Sequence, residues 1–337
     1  MRTTLLILFV LALPTAGCDR PIPDDDVDRT GLLSSADPDA ERPSVSHDFA
    51  ATPEATSLLG DPLYPLVADS AGAARMSAQL DSAVAAYEAD PRDADALIWL
   101  GRRLGYLGHY RDAIDAFSEG IEAHPSDARL FRHRGHRYIS IRQLDRAIDD
   151  LEHAARLISG RDDEVEPDGQ PNAAGVPRST LHTNIWYHLG LARYVKGDFS
   201  GAAHAFRQGL DISPNDDMRV AMADWLWLSL TRLDRHREAA GVLDDVLSED
   251  MEILENEAYR RRLQLYRGDL PPDSLLPAGP DALALATYGY GLGTWHLLRG
   301  DTLAARAIYL DLMTTGYWPA FGYLAAEAEL ARLKGEG

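Results

Sequence analysis

The chain has 337 residues, of which 53 are Asp or Glu and 33 are Lys or Arg, giving a formal net charge of -20. A surface this acidic is soluble and self-repelling, and it lacks the dominant basic face that a phosphate backbone needs, which excludes nucleic acid as a general partner. A single cysteine, Cys18, excludes an internal disulfide and a thiolate zinc cluster.

The first predicted element is a leader. Arg2 precedes an apolar run over residues 5–13, which ends at Pro14-Thr15-Ala16-Gly17-Cys18. A charged start, a short apolar stretch and small residues before a cut predict a signal peptide over residues 1–17. The run is far shorter than the ~20 residues that a membrane-spanning helix requires. The segment Thr15-Ala16-Gly17-Cys18 resembles the bacterial lipobox. That resemblance implies cleavage before Cys18, lipid on its sulfur, and a chain tethered at the bacterial cell envelope. The plainer alternative is an ordinary signal peptide with an incidental cysteine. Asp19 resembles an inner-membrane retention signal, and the choice of membrane stays open. Residues 18–57, rich in Asp, Pro, Ser and Ala, predict a disordered spacer after the lipidated cysteine.

From about residue 71 to the end the chain shows helical patterns separated by short turns and no alternating strand pattern, so the expected class of the domain over residues 58–337 is all-α. The pattern recurs at a period of about 34 residues. Over 94–127 it reads Leu100-Gly101, Gly108-His109-Tyr110, Ala113, Phe117, Gly120-Ile121 and Pro125. Over 128–161 it reads Gly135, Tyr138, Leu144, Ala147, Leu151 and Ala154. Over 183–216 it reads Trp186, Leu189-Gly190, Gly197-Asp198-Phe199, Ala202, Phe206, Gly209-Leu210 and Pro214. Upstream, Ala83, Ala86 and Pro91 sit where the second helix of an earlier unit would end. Weaker copies fall near 220–251, where Trp227 replaces a usually small residue, and near 286–319. A final helix over about 320–334, with Phe321, Leu324, Ala328 and Leu330 at helical spacing, is expected to cap the stack with a solvated face. Two stretches interrupt the period: 160–178, carrying Asp162, Asp163, Glu164, Glu166 and Asp168, and the Pro-rich 270–280. Both are predicted loops.

These repeats resemble the tetratricopeptide repeat (TPR) family. The segments Arg132-His133-Arg134-Gly135-His136-Arg137-Tyr138, Glu164-Val165-Glu166-Pro167-Asp168-Gly169, Asn184-Ile185-Trp186-Tyr187-His188-Leu189-Gly190 and Ala320-Phe321-Gly322-Tyr323-Leu324 extend the resemblance to bacterial TPR lipoproteins over roughly 58–333. The resemblance implies a right-handed α-solenoid of helix pairs with a C-terminal capping helix. It also implies a concave groove lined by the first helix of each repeat, at the second, fifth, ninth, twelfth and thirteenth positions. Those positions include Arg102 and Tyr106 in the first repeat, Arg129, Arg132 and His136 in the second, and Tyr187 in the third. We take these six as the candidate ligand-binding residues.

The run from Ala128 to Leu144 holds Arg129, Arg132, Arg134, Arg137 and Arg142 with no Asp or Glu. Guanidinium forks bind carboxylates in a two-point geometry, and Tyr106 and Tyr187 offer flat apolar contact beside them. This resembles the carboxylate clamp of some TPR domains, with Arg132 and His136 in place of the usual Lys and Asn. Three arrangements are open: the acidic 160–178 insert folds back and neutralises the basic helix, the groove stays free for a ligand, or the insert gates it.

His133 and His136 lack a carboxylate on the same helical face, and the acidic run lacks the spacing of a calcium loop, so no metal is expected. Phosphate-loop, dinucleotide and Gly-x-Ser-x-Gly patterns are absent from the sequence, and neither a cofactor nor catalysis is expected. The expected function is a membrane-tethered scaffold binding a protein or peptide, including one that presents a carboxylate. The alternative is a small-ligand or peptidoglycan-fragment receptor with a pocket under the 160–178 insert, and a hydrolase would need acid and base groups converging in that pocket.

Overall fold

A computed structural model describes residues 52–66, 70–277 and 279–335. The predicted leader, Cys18 and the spacer up to residue 51 lie outside the described residues. Among the described residues no helix is long and apolar enough to cross a membrane.

The chain opens with a small antiparallel ribbon, β1 (Ala55–Thr56) and β2 (Pro62–Leu63), with Ala55 opposite Leu63. The spacer was expected to run to residue 57, and its last residues are ordered instead. Glu54 accepts a hydrogen bond from the Arg111 backbone N–H at 3.0 Å, its carbonyl accepts from Arg111 Nε at 3.0 Å, and Trp318 Nε1 donates to the Tyr64 carbonyl at 2.7 Å. These bonds tie the ribbon to partners far away in sequence, which a local sequence pattern does not reveal.

Thirteen α-helices follow among the described residues: α1 (Ser70–Ala89), α2 (Ala94–Tyr106), α3 (Tyr110–Ala123), α4 (Ala128–Ser140), α5 (Leu144–Leu157), α6 (Leu181–Lys196), α7 (Phe199–Asp211), α8 (Asp216–Arg232), α9 (His236–Val246), α10 (Glu257–Arg267), α11 (Ala282–Leu297), α12 (Thr302–Thr314) and α13 (Phe321–Gly335). The five repeats read from the sequence are the pairs α2/α3, α4/α5, α6/α7, α8/α9 and α11/α12. Part of the acidic content has a local cause. Asp93, Asp127, Asp198, Asp281 and Asp301 each cap a helix by accepting a backbone N–H from its first turn. Within a pair, a glycine on the first helix faces an aromatic on the second. A Cβ at Gly101 would stand 2.5 Å from the Phe117 ring, and one at Gly190 would stand 2.7 Å from the Phe206 ring. First helices of successive pairs also touch one another, α2 to α4, α4 to α6 and α6 to α8, and so form the inner layer of an all-α, TPR-type solenoid.

Three elements depart from expectation. Helix α10 interrupts the repeat; its ring of Tyr266 stacks on Trp227 with centroids 4.1 Å apart, which accommodates the large residue at a usually small position. Helix α1 has a buried Ala83, but Ala86 is exposed, and a ribbon rather than a partner helix precedes it.

The third departure is α13, which is not a solvated cap. Its residues Gly322 to Leu330 are all buried. Glu327, fully buried, pairs with Arg142 from the α4–α5 turn at 2.7 Å and accepts from the Leu58 backbone N–H. Glu329 pairs with Arg232 at the end of α8 (3.1 Å) and with Arg332 (2.8 Å), and Arg332 donates to the Val195 carbonyl near the end of α6 at 3.0 Å. Phe321 sits 5.4 Å from His136 and 5.6 Å from His188, centroid to centroid. The last helix therefore lies against the inner layer, and its acidic residues, which look like surface in the sequence, are held by arginines of earlier repeats.

Candidate functional site

The basic run on and after α4 does not form one patch. Arg129 pairs with Asp95 (2.7 Å) and with Asp127, the cap of its own helix (2.6 Å). Arg134 makes a two-point contact with Asp150, both bonds 2.8 Å, and Arg142 pairs with Glu327. These three hold helices together. Arg132 and Arg137 point elsewhere, towards a cavity that they share with Arg102 of α2.

That cavity has a volume of about 220 Å³ and lies between α2, α4, the start of α6 and the insert. The insert reaches it because its ends are pinned. The Glu166 backbone N–H donates to the Ser179 carbonyl at 3.1 Å, the Leu181 N–H donates to the Glu164 carbonyl at 2.9 Å, and Thr180 caps α6 in a reciprocal box with Thr183. Glu166 is thereby aimed inward. One of its carboxylate oxygens lies 3.0 Å from Arg132 Nη2, and the other accepts from Asn184 Nδ2 at 3.1 Å. Arg102 Nη2 donates to the Pro167 carbonyl at 2.7 Å, and Arg103 Nη1 donates to the Gly169 carbonyl at 2.9 Å. Gly169 packs so closely on Tyr106 that a Cβ there would stand 1.9 Å from the hydroxyl oxygen. The insert is thus laid over the basic helix. Asp162, Asp163 and Glu164 of the same insert remain exposed.

The charge in this cavity is unbalanced. Arg102, Arg132 and Arg137 line it along with only Glu166 and Asp168. Among the described residues Arg137 has no carboxylate partner, and its guanidinium rests over the Tyr110 ring at 5.3 Å. Arg102 binds a carbonyl rather than a carboxylate, and the Nε atoms of Arg102 and Arg132 are buried without a hydrogen-bond partner. Burial lowers the pKa of Arg132 and of Arg137 from the ordinary arginine value, and burial raises that of Asp168. A buried guanidinium with free donor capacity attracts a second anionic group.

The histidines add no charge. Burial, reinforced by the adjacent arginines, holds His133, His136 and His188 well below the usual histidine pKa. Arg132 Nη1 donates to His133 Nδ1 at 2.9 Å, which places the His133 proton on Nε2, 3.8 Å from Glu166. His133 stacks on Phe117, centroids 5.5 Å apart. His188 Nδ1 donates to the Asn184 carbonyl at 2.6 Å, and its ring meets His136 at 4.3 Å. Neutral rings in these contacts serve packing and hydrogen bonding.

Of the six residues selected from the sequence, the structure brings Arg102, Tyr106, Arg132 and His136 together around this cavity. Arg129 is turned aside by its two aspartates and lines neither this cavity nor its neighbour. Tyr187 lines the neighbouring cavity, about 550 Å³ in volume, which shares Ser179 and Asn184 with the first. Sequence reasoning missed Arg137 as a lining group because its position on the repeat is not among those that usually face the groove. It missed the inward role of Glu166 because neighbouring acids of the insert look identical in composition.

Two models described as Tetratricopeptide repeat match the chain, one over residues 100–162 and one over 183–216. Among known proteins, BBSome complex member BBS4 from Bos taurus is 24% identical over 140 residues, which is 42% of this chain and 23% of that protein, so the chain spans about a quarter of its length. A crystal structure of MamA is 18% identical and superposes over 53% of this chain and 94% of its own, with a TM-score of 0.40. YrrB, described as a TPR protein with an unusual peptide-binding site, is 15% identical over 67% of this chain and 96% of its own, with a TM-score of 0.40.

Proposed function

We propose that this chain, a tetratricopeptide repeat protein, is a scaffold that holds a protein partner by a carboxylate, either an acidic side chain or a chain terminus, in the cavity of Arg102, Arg132 and Arg137. Segment 164–170 is an internal stand-in that such a partner displaces. The observation that carries this reading is the pose of the insert. Its Glu166 carboxylate sits on Arg132 while its Pro167 carbonyl sits on Arg102, one side-chain anion and one backbone acceptor, as an extended acidic peptide would present them.

Lipid on Cys18 would place this scaffold at the bacterial cell envelope, with residues 19–51 as spacer. Support for that part is the leader and the lipobox-like segment alone. Cys18→Ser moving the protein from the membrane fraction to the soluble fraction is the expected result, and an unchanged distribution contradicts the anchor.

The binding reading is tested by titrating the full chain with an acidic peptide that has a free C-terminal carboxylate, beside Arg132→Ala. Loss of the buried guanidinium is expected to weaken binding by about tenfold or more, beyond what an exposed ion pair contributes. Equal affinity in the two proteins contradicts the reading.

A further inference from the structure

The neighbouring cavity has the opposite chemistry. Its walls are the rings of Tyr187, Tyr259, Tyr288 and Phe321, and its polar rim carries Glu255, Glu257 and Asp281, with no arginine or lysine in the lining. At about 550 Å³ it is more than twice the volume of the arginine cavity. Glu257 is balanced by Arg260, with two bonds of 2.8 Å. Glu255 and Asp281 have no cationic partner among the described residues. Glu255 accepts from Asn172 Nδ2 at 3.0 Å, and Asp281 caps α11 by accepting from the Ala284 N–H at 2.7 Å. Each keeps free acceptor capacity.

The aromatic wall is fixed in place. The Tyr187 and Tyr259 hydroxyls share a hydrogen bond of 2.7 Å, and Trp225 Nε1 donates to the Tyr187 hydroxyl at 3.2 Å. Leu283, which is 52% exposed, adds apolar surface to the lining. Aromatic faces carry negative potential and attract cations, more strongly where water is excluded. Aromatic walls beneath unbalanced carboxylates suit a cation carried on an apolar stem, which describes a lysine or arginine side chain.

We infer that the cavity of Tyr187, Tyr259 and Tyr288 is a second binding subsite, one that takes a basic side chain of a peptide. The two cavities adjoin at Asn184 and Ser179, so a single extended peptide would place an acidic group in one and a basic side chain in the other. The inference stands on the geometry of the larger cavity and has its own probe, so it survives or fails separately from the carboxylate site.

The test uses Nα-acetyl-lysine methylamide and its uncharged counterpart Nα-acetyl-norleucine methylamide, titrated into the full chain and followed by the NMR signals of the tyrosine rings. The lysine compound is expected to bind saturably and about tenfold more tightly than norleucine, reflecting the cation's contribution. Glu255→Gln combined with Asp281→Asn, the latter retaining a capping side chain, is expected to remove that preference. If the double variant melts early, Glu255→Gln alone, at an exposed position, gives the same reading with a smaller loss. Equal binding of the two compounds, no saturable binding of the lysine compound, or a preference that survives loss of both carboxylates overturns the inference.

Discussion

Glu166 and Arg132 meet at 3.0 Å with side chains 11% and 8% exposed, so a carboxylate of the insert, rather than solvent, balances the central guanidinium of the inner layer. Glu166→Gln removes that charge and leaves Arg132 beside Arg102 and Arg137 with only Asp168 to offset them. The insert is expected to detach locally, with amides of residues 164–170 exchanging about tenfold faster or more, while the helices keep their protection. Hydrogen exchange read by mass spectrometry checks this, and unchanged protection of the insert contradicts it.

Gly322 is where α13 crosses α11. A Cβ there would stand 2.2 Å from the Ala286 carbonyl oxygen, a backbone atom that cannot swing aside. Gly322→Ala is expected to destabilise the fold by about 1–3 kcal/mol through overpacking. It should also loosen Phe321 from His136 and His188. A thermal melt measures the effect, and an unchanged midpoint would show that α13 does not pack this closely.

Asp217, fully buried, collects the chain before α10. It accepts from the backbone N–H groups of Leu254, Glu255 and Asn256 at 3.1, 3.0 and 2.9 Å, and from Arg178 Nε at 2.7 Å. Although burial pushes its pKa up, these donors together outweigh that and hold it below the usual carboxylate value. A depressed carboxylate gives stability that is present above the unfolded pKa and lost as pH falls through the folded one. Asp217→Asn is expected to cost about 3 kcal/mol near neutral pH, since Arg178 loses its partner. The variant should also show a shallower loss of stability below about pH 4, where the wild-type carboxylate takes up its proton. Chemical denaturation of both proteins across that range decides the matter.

The neutral histidines set a second pH dependence. His133, His136 and His188 titrate well below the usual value in the folded protein, so below about pH 6.5 the unfolded chain binds protons that the folded one does not, and stability falls with pH. Asp224 opposes this. Burial outweighs the pull of Arg262, 2.7 Å away, and pushes its carboxyl up to about 7, so it takes up a proton in the folded state over the same range. Three groups against one leave stability falling as the pH falls through this range. The denaturation midpoint is expected to fall between about pH 7 and about pH 5 and to fall less steeply in His136→Gln. A flat profile contradicts the assignment.

The repeats were legible because their signals are local. Gly101 with Phe117 and Gly190 with Phe206 are fixed by spacing within one helix pair, and the capping aspartates sit where a chain-local rule puts them. What was not legible depends on partners far along the chain. Glu327 and Glu329 look like exposed acids on a terminal helix until Arg142 and Arg232 are brought to them. Helix α10 falls between the two weaker copies of the repeat, and what holds it is again distant: Arg262, fully buried, pairs with Asp224 of α8. Repeat position was enough to bring Arg102, Tyr106, Arg132 and His136 to one cavity, whereas Arg129 turns away because Asp95 and Asp127 pair with it.

The central claim is that the insert occupies the partner's site. It is tested most directly by titrating an acidic peptide with a free C-terminal carboxylate into the wild type and into Glu166→Gln combined with Gly169→Val. The first change releases Arg132, and the second puts bulk where Tyr106 leaves none. The account predicts that the double variant binds the peptide about tenfold more tightly or better, because the competing segment no longer fills the cavity, and that adding Arg132→Ala abolishes the gain. Identical affinity in the wild type and the double variant, or a gain that persists without Arg132, would contradict it.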